Sequence, residues 1–172
     1  MRSIKVWDLP VRICHWVLAG AVLANLAITE EGSSSHELVG YIAAGVVVFR
    51  LIWGLIGTKH ARFTDFFPTP SRLKAHFNAL MEGKNTQELG HNPFAALMMF
   101  VLWGLVLTLG ITGYFQVEMA HSPHWLEEIH EVAANSLIPC IILHIFAAIA
   151  MSYISKVNLI KAMITGKKQL SQ

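Results

Sequence analysis

The sequence predicts an all-α integral membrane protein, a four-helix bundle with up-down topology. Its 172 residues are 54% hydrophobic and only 14% charged, whereas a typical soluble domain has about 25% charged residues. Apolar stretches occupy four segments, at about 11–29, 36–56, 94–117 and 130–154. Each is long enough to cross a hydrocarbon core of about 30 Å, which takes about 20 helical residues. We therefore expect a single membrane domain over residues 1–172, surrounded by the lipid bilayer.

The basic residues are confined to one side of the predicted membrane. Four spans place both termini and the central loop, residues 57–93, on the same side, and all 13 Lys and Arg residues fall on or near that side. The two short opposite loops contain glutamates instead: Glu30, Glu31, Glu118, Glu127 and Glu128. The positive-inside rule then predicts a multi-pass membrane protein with both termini in the cytoplasm. No small-residue cleavage site follows the first span, so we expect that span to be retained.

The central loop contains one amphipathic segment. Thr69-Pro70-Ser71 is a helix start signal, and apolar residues then recur at helical spacing: Leu73, Phe77, Leu80 and Met81. Two interpretations fit this pattern, a helix lying on the inner membrane surface and a helix packed on the bundle. The histidines of this loop are expected to be solvated or interfacial polar groups: His60, His76 and His91.

Four of the nine histidines lie in the predicted spans, at His15, His36, His130 and His144. Ionisable residues inside a membrane are costly and usually functional. The direction of each span places His15 and His144 (the inner pair) near the cytoplasmic face, and His36 and His130 (the outer pair) near the other face. Fourteen residues separate His130 from His144, about 21 Å of helix and almost four turns. Both side chains therefore lie on the same face of the fourth helix.

Two imidazoles that face each other across a helix bundle are suitable axial ligands for a haem iron. The chain has no C-x-x-C-H motif, so we expect non-covalent haem b. Arg50 follows His36 by fourteen residues and is predicted to lie at the level of the inner pair. Its guanidinium suits a haem propionate, although snorkelling to the headgroups is the alternative. Small residues that leave room for a porphyrin occur along the spans: Gly20, Gly40, Gly45, Gly104, Gly110, Gly113 and Ala134.

Other kinds of protein also place histidines in membrane spans. A single span histidine can simply hydrogen-bond to a neighbouring helix. A transition-metal transporter also uses clustered histidines, but such a site gathers its ligands at one depth, and the four span histidines divide into two layers. A proton relay needs a connected path rather than two separated pairs. The two layers therefore favour a cytochrome over both alternatives.

The motifs around these histidines resemble the bacterial cytochrome b561 family and the related cytochrome b subunits of nickel–iron hydrogenases. The matching motifs are Cys14-His15-Trp16, His36…Gly40…Arg50, His130-Glu131…Ala134-Asn135…His144, and the segment from Asn158 to Met163. The resemblance covers nearly the whole chain. Two histidines on the last span, combined with one on each of the first two, make it fairly specific.

The resemblance implies two low-spin haem b groups, with the inner pair ligating the cytoplasmic-side haem and the outer pair the periplasmic-side haem. Family members exchange electrons with membrane quinones and with a partner, here a periplasmic cytochrome c or a dehydrogenase- or hydrogenase-type protein. No nucleic-acid partner is expected. Some members look like oxidases of superoxide that reduce ubiquinone. That alternative is disfavoured here, because the outer glutamates would repel an anion. Candidates for a quinone contact are His124, Trp125, Glu131, Asp8 and Arg12.

Overall fold

The computed structural model describes residues 2–84, 89–119 and 121–170, and it is dominated by α-helices. The helices are α1 (Leu9–Ala27), α2 (Ser34–Ile56), α3 (Phe63–Phe66), α4 (Pro70–Met81), α5 (Pro93–Glu118), α6 (His124–Ser155) and α7 (Leu159–Thr165), with a 3-10 turn at Lys59–Ala61. Four of them, α1, α2, α5 and α6, are long and apolar enough to cross a membrane. The predicted all-α membrane class is therefore confirmed.

The helix ends differ from the predicted spans by a few residues. The largest difference is at α6, which begins at His124, six residues before the predicted span. Pro123 directly precedes this helix, and proline is favoured at helix starts because its φ angle is already helical. The first turns of α6 are polar and amphipathic, so they lie outside the apolar stretch from which the span was predicted. Pro139 lies inside the helix.

The chain forms two compact units. The first comprises residues 1–12, 52–100 and 142–172, and the second comprises residues 13–51 and 101–141. Each long helix contributes residues to both. Apart from Arg50, all the lysines and arginines belong to the first unit, whereas most acidic residues belong to the second. The division of the chain into units therefore matches the charge asymmetry of the sequence.

The two chain termini pair with each other in the first unit. Strand β1 (Arg2–Lys5) pairs antiparallel with β2 (Lys167–Leu170). Gly166 precedes β2 with φ +79°, and its carbonyl oxygen accepts from the backbone N–H groups of Val6 and Trp7. A Cβ at Gly166 would lie 2.6 Å from the carbonyl oxygen of Trp7, so glycine is required there. This sheet was not predicted, and it joins the segment near the N-terminus to the segment near the C-terminus.

The predicted helix in the central loop is present as α4. The Thr69 hydroxyl accepts from the backbone N–H of Arg72 at its start, as expected for an N-cap residue. His76 is only 4% exposed and its ring contacts Phe94, so the expectation that His76 is a solvated or interfacial group was wrong. It was wrong because His76 lies on the packed face of the helix. Phe77 and Met81 are exposed, so the same helix also has a free apolar face.

The second unit holds segments of all four long helices in close contact. A Cβ at Gly110 of α5 would lie 2.7 Å from the Cβ of Ala44 on α2, so the two backbones approach closely at this glycine. Val47 of α2 is fully buried. One turn further along α2, the Arg50 guanidinium lies over the ring of Trp103 on α5, 5.4 Å from its centre.

Candidate functional site

An open cavity of about 110 Å³ lies in the second unit, among segments of α1, α2, α5 and α6. Its lining is largely apolar with a few polar groups: Ala21, Val22, Asn25, Leu26, His36, Glu37, Gly40, Tyr41, Ala43, Val106, Leu109, Gly110, Gly113, His130, Ala134 and Leu137. Both histidines of the outer pair are in this set.

The outer pair is brought together across the cavity. His36 lies in the first turn of α2 and His130 in the second turn of α6. Their imidazole ring centres are 6.4 Å apart and the ring planes are inclined by 52°. Both residues are partly buried. Two helix starts thus present one imidazole each to the same space.

The spacing of these rings can be compared with the space that a shared metal would need. An imidazole nitrogen lies about 2.0–2.1 Å from a bound transition metal such as zinc. Two imidazoles that bind one metal are separated by two such bonds and by the short distance from each nitrogen to its own ring centre. Their ring centres can therefore lie about 6 Å apart. The observed 6.4 Å is close to that value. A pair of imidazoles facing an apolar cavity is also a donor set that haem iron accepts, so the residues present fit a haem.

The Nδ1 atom of each outer-pair imidazole contacts a threonine hydroxyl. Nδ1 of His130 lies 2.9 Å from Oγ1 of Thr112 on α5. Nδ1 of His36 lies 3.3 Å from Oγ1 of Thr29, just beyond the end of α1. Asn25 of α1 then bonds to both partners, since its Nδ2 donates to the His36 carbonyl at 3.0 Å and its Oδ1 accepts from the Thr29 hydroxyl at 3.0 Å. All four helices therefore supply residues to the site.

Small residues line the cavity at the positions that a flat ligand would need, but only some of the predicted ones take part. Gly40, Gly110, Gly113 and Ala134 line it. By contrast, a Cβ added at any of three other glycines would meet nothing within 4 Å: Gly20, Gly45 and Gly104. Those three glycines do not line this cavity, so a place for them beside a haem stays a prediction. The amino-acid type alone does not indicate which face of a helix points inward.

The remaining predicted ligands lie in different units. His15 is partly buried on α1 in the second unit, and His144 is partly buried on α6 in the first. Their pairing stays a prediction. Arg50 is 4% exposed, with its guanidinium against Trp103. A side chain that snorkels towards the headgroups would be exposed, so this burial argues against the snorkelling alternative for Arg50.

The residues proposed to contact quinone differ in exposure and in hydrogen bonding. His124 is exposed, with Nδ1 3.2 Å from a carboxylate oxygen of Glu128, and Trp125 and Glu131 are exposed as well. In the first unit, the Asp8 carboxylate accepts hydrogen bonds from the Trp53 indole N–H at 3.0 Å and the Thr58 hydroxyl at 2.7 Å. Arg12 donates to the carbonyl of Ile164. Asp8 and Arg12 thus have structural contacts, and their contact with quinone stays a prediction.

Three polar residues of the site were not singled out from the sequence: Asn25, Thr29 and Thr112. Thr112 is 5% exposed in an otherwise apolar helix, and its neighbour Gly113 lines the cavity. A polar residue in a span, at the same depth as a span histidine, is the signal that could have identified it. In the residues described, no group of three or more His, Cys, Asp or Glu side chains could hold a metal ion.

Comparison with known families identifies the family of this chain. A family model described as prokaryotic cytochrome b561 matches residues 6–166, a stretch that contains both histidine pairs. The chain belongs to the prokaryotic cytochrome b561 family. It is therefore a multi-pass haem b membrane protein of electron transfer, and the family resemblance predicted from the motifs is confirmed. Because the chain belongs to a cytochrome family, the metal-transporter alternative is abandoned.

Named relatives of this cytochrome are similar over most of its length. The "Probable Ni/Fe-hydrogenase B-type cytochrome subunit" of Bradyrhizobium diazoefficiens is 26% identical over 213 aligned residues, covering 97% of this chain and 86% of the relative. The proteins of the same name from Rhodobacter capsulatus and Cupriavidus necator are each 24% identical, cover 96% of this chain, and are themselves covered to 81% and 88%. No solved structure matches the chain.

Proposed function

We propose that this cytochrome holds two haem b groups and transfers electrons between the membrane quinone pool and a partner redox protein, across the bacterial inner membrane. The single observation that carries the proposal is the outer pair, whose imidazole ring centres face each other at 6.4 Å over a largely apolar cavity. Bound haem supplies a one-electron ferric/ferrous couple. His36 and His130 would together hold the iron of this haem, and the haem would relay single electrons. Bond-making chemistry would therefore belong to the quinone.

The second haem would be held by the inner pair. His144 lies on the same helix as His130, fourteen residues further on, and α6 is continuous over both. Fourteen residues are almost four helical turns, so the two side chains share one face of the helix. His15 on α1 is the proposed partner of His144. Two haems held at two depths would provide electron transfer from one membrane face to the other.

Arg50 is proposed to bind a propionate of the haem held by the inner pair. Its guanidinium is buried, with Trp103 beside it, and a carboxylate is the natural partner of a buried guanidinium.

The partner is proposed to dock on the second unit, whose exposed charge is mostly negative. Its exposed carboxylates are Glu30, Glu31, Glu118, Glu127, Glu128 and Glu131. Such a surface steers a positively charged protein and slows a negatively charged one. A basic periplasmic cytochrome c fits this surface, whereas superoxide does not. The relatives' names support a hydrogenase-type partner as the second choice. With positive charge concentrated in the first unit, that unit is proposed to face the cytoplasm.

Rapid mixing with alternative redox partners tests this function. We expect a quinol to reduce the haem of the purified protein, and ferric basic cytochrome c to reoxidise it about tenfold faster at low salt than at high salt. The double variant Glu127→Gln/Glu128→Gln should lose most of this salt dependence. Glu82→Gln, which neutralises an exposed carboxylate of the first unit, should keep it. Faster reduction by superoxide than by quinol would contradict the proposal and favour superoxide:quinone oxidoreduction.

A further inference from the structure

We propose that Thr112, and Thr29 together with Asn25, are positioning residues that orient the outer pair and keep each ring protonated at Nδ1, so that each Nε2 presents its lone pair to the haem iron. The inference rests on the proposed role of His36 and His130 as ligands. It assigns functions to polar groups on α5 and α1. On this account the two threonine hydroxyls help to set the reduction potential of the haem that the outer pair holds.

The direction of the Thr112 hydrogen bond follows from its other partner. The hydroxyl has one proton, and Oγ1 donates it to the carbonyl oxygen of Thr108 at 2.8 Å. A hydroxyl that has used its proton can only accept a further bond. The Nδ1 of His130, at 2.9 Å, must then be the donor. Nδ1 of His130 is therefore protonated, and Nε2 is the atom with a free lone pair.

The same reasoning applies to His36 through one more residue. The backbone carbonyl of His36 can only accept, so the Asn25 side chain directs its amide Nδ2 there, at 3.0 Å. The Asn25 oxygen is then available and accepts from the Thr29 hydroxyl at 3.0 Å. Thr29, having donated its proton, accepts from Nδ1 of His36 at 3.3 Å. Each outer-pair ring thus has the same protonation pattern.

A hydrogen bond from Nδ1–H makes the opposite ring nitrogen a stronger donor and holds the ring at a fixed rotation. Stronger donation favours ferric over ferrous iron and lowers the reduction potential. The Thr112 bond is the shorter of the two, and Thr112 is only 5% exposed. Because an electrostatic interaction is stronger where water is excluded, Thr112 should have the larger effect.

Potentiometric titration of the purified, haem-loaded protein tests the inference, with the absorbance of each haem followed separately. We expect Thr112→Val to retain both haems and to raise the potential of the outer-pair haem. A tenfold change in its reduction equilibrium corresponds to about 59 mV for one electron, and the EPR signal of its ferric state should change as well. Thr112→Ser keeps the hydroxyl and should restore both properties. Thr29→Val should act in the same direction with a smaller shift.

Thr108→Val is the matched control, because its side-chain hydroxyl donates to the carbonyl of Gly104 one turn away and does not contact a histidine. An unchanged potential in Thr112→Val, or an equal shift in Thr108→Val or Thr112→Ser, would overturn the inference. Failure of the proposed function looks different. In that case His130→Ala would keep the haem that Thr112→Val is expected to shift.

Discussion

Replacing His36 or His130 with alanine is expected to lower the haem content from two per chain to one. Each imidazole is one of the two ligands proposed for the same iron, and the ring centres are 6.4 Å apart, so the loss of either histidine removes half of the proposed ligand set. Haem is quantified as the pyridine complex against protein concentration. The two variants should lose the same component of the reduced absorption spectrum, because both affect one haem.

His124→Ala is the matched control for this pair of variants. It removes an exposed histidine from the same helix, one that contacts Glu128 instead of the cavity, and it should retain two haems. His15→Ala should remove the other spectral component. Retention of two haems in His36→Ala or in His130→Ala would contradict the assignment of the outer pair. The haem that remains in each variant also reports that the protein has folded.

Filling the cavity should remove the same haem without changing a ligand. Gly113 lines the cavity, and a Cβ built there would lie 3.4 Å from Cε1 of His130. The further carbons of a leucine would need the space proposed for the porphyrin. We therefore expect Gly113→Leu to hold one haem per chain. The thermal stability of this variant should match that of the wild-type protein lacking the same haem, because the added apolar volume fills a cavity and does not create one.

Gly104→Leu is the control for Gly113→Leu. It adds the same side chain to the same helix at a position where a Cβ would meet nothing within 4 Å. The haem held by the outer pair should be retained, because Gly104 does not line the cavity. If Gly113→Leu also retained two haems, the cavity beside Gly113 would not be the haem site, whatever the role of the histidines.

The depth of the histidines could be predicted because helix geometry is nearly invariant. A rise of 1.5 Å per residue and a known direction for each span are sufficient to place His36 and His130 near the same membrane face. The structure brings these two side chains together. The rotation of each helix about its own axis could not be predicted in this way, because it depends on all the neighbouring helices at once. Gly104 and Gly113 on α5 are equivalent in the sequence, yet only Gly113 lines the cavity.

Long-range pairings were also beyond the sequence. Strands β1 and β2 are four residues each and lie at opposite ends of the chain, so neither shows a pattern that identifies its partner. The contact between Thr112 and His130 was likewise not predictable from the sequence. A threonine in an apolar helix usually bonds to its own backbone, and Thr112 does so while also contacting His130. The contact with His130 depends on how α6 packs against α5, which no local sequence pattern gives.

The most direct test of the account is the haem content and spectrum of the wild-type protein, purified in detergent after expression with ample haem. The account predicts two haem b per polypeptide, sharp absorption bands on reduction with dithionite, and low-spin ferric EPR signals of two different bis-imidazole sites. One haem per chain would contradict the two-pair arrangement. A high-spin haem, or a colourless protein, would contradict the proposal that facing histidines hold the cofactor.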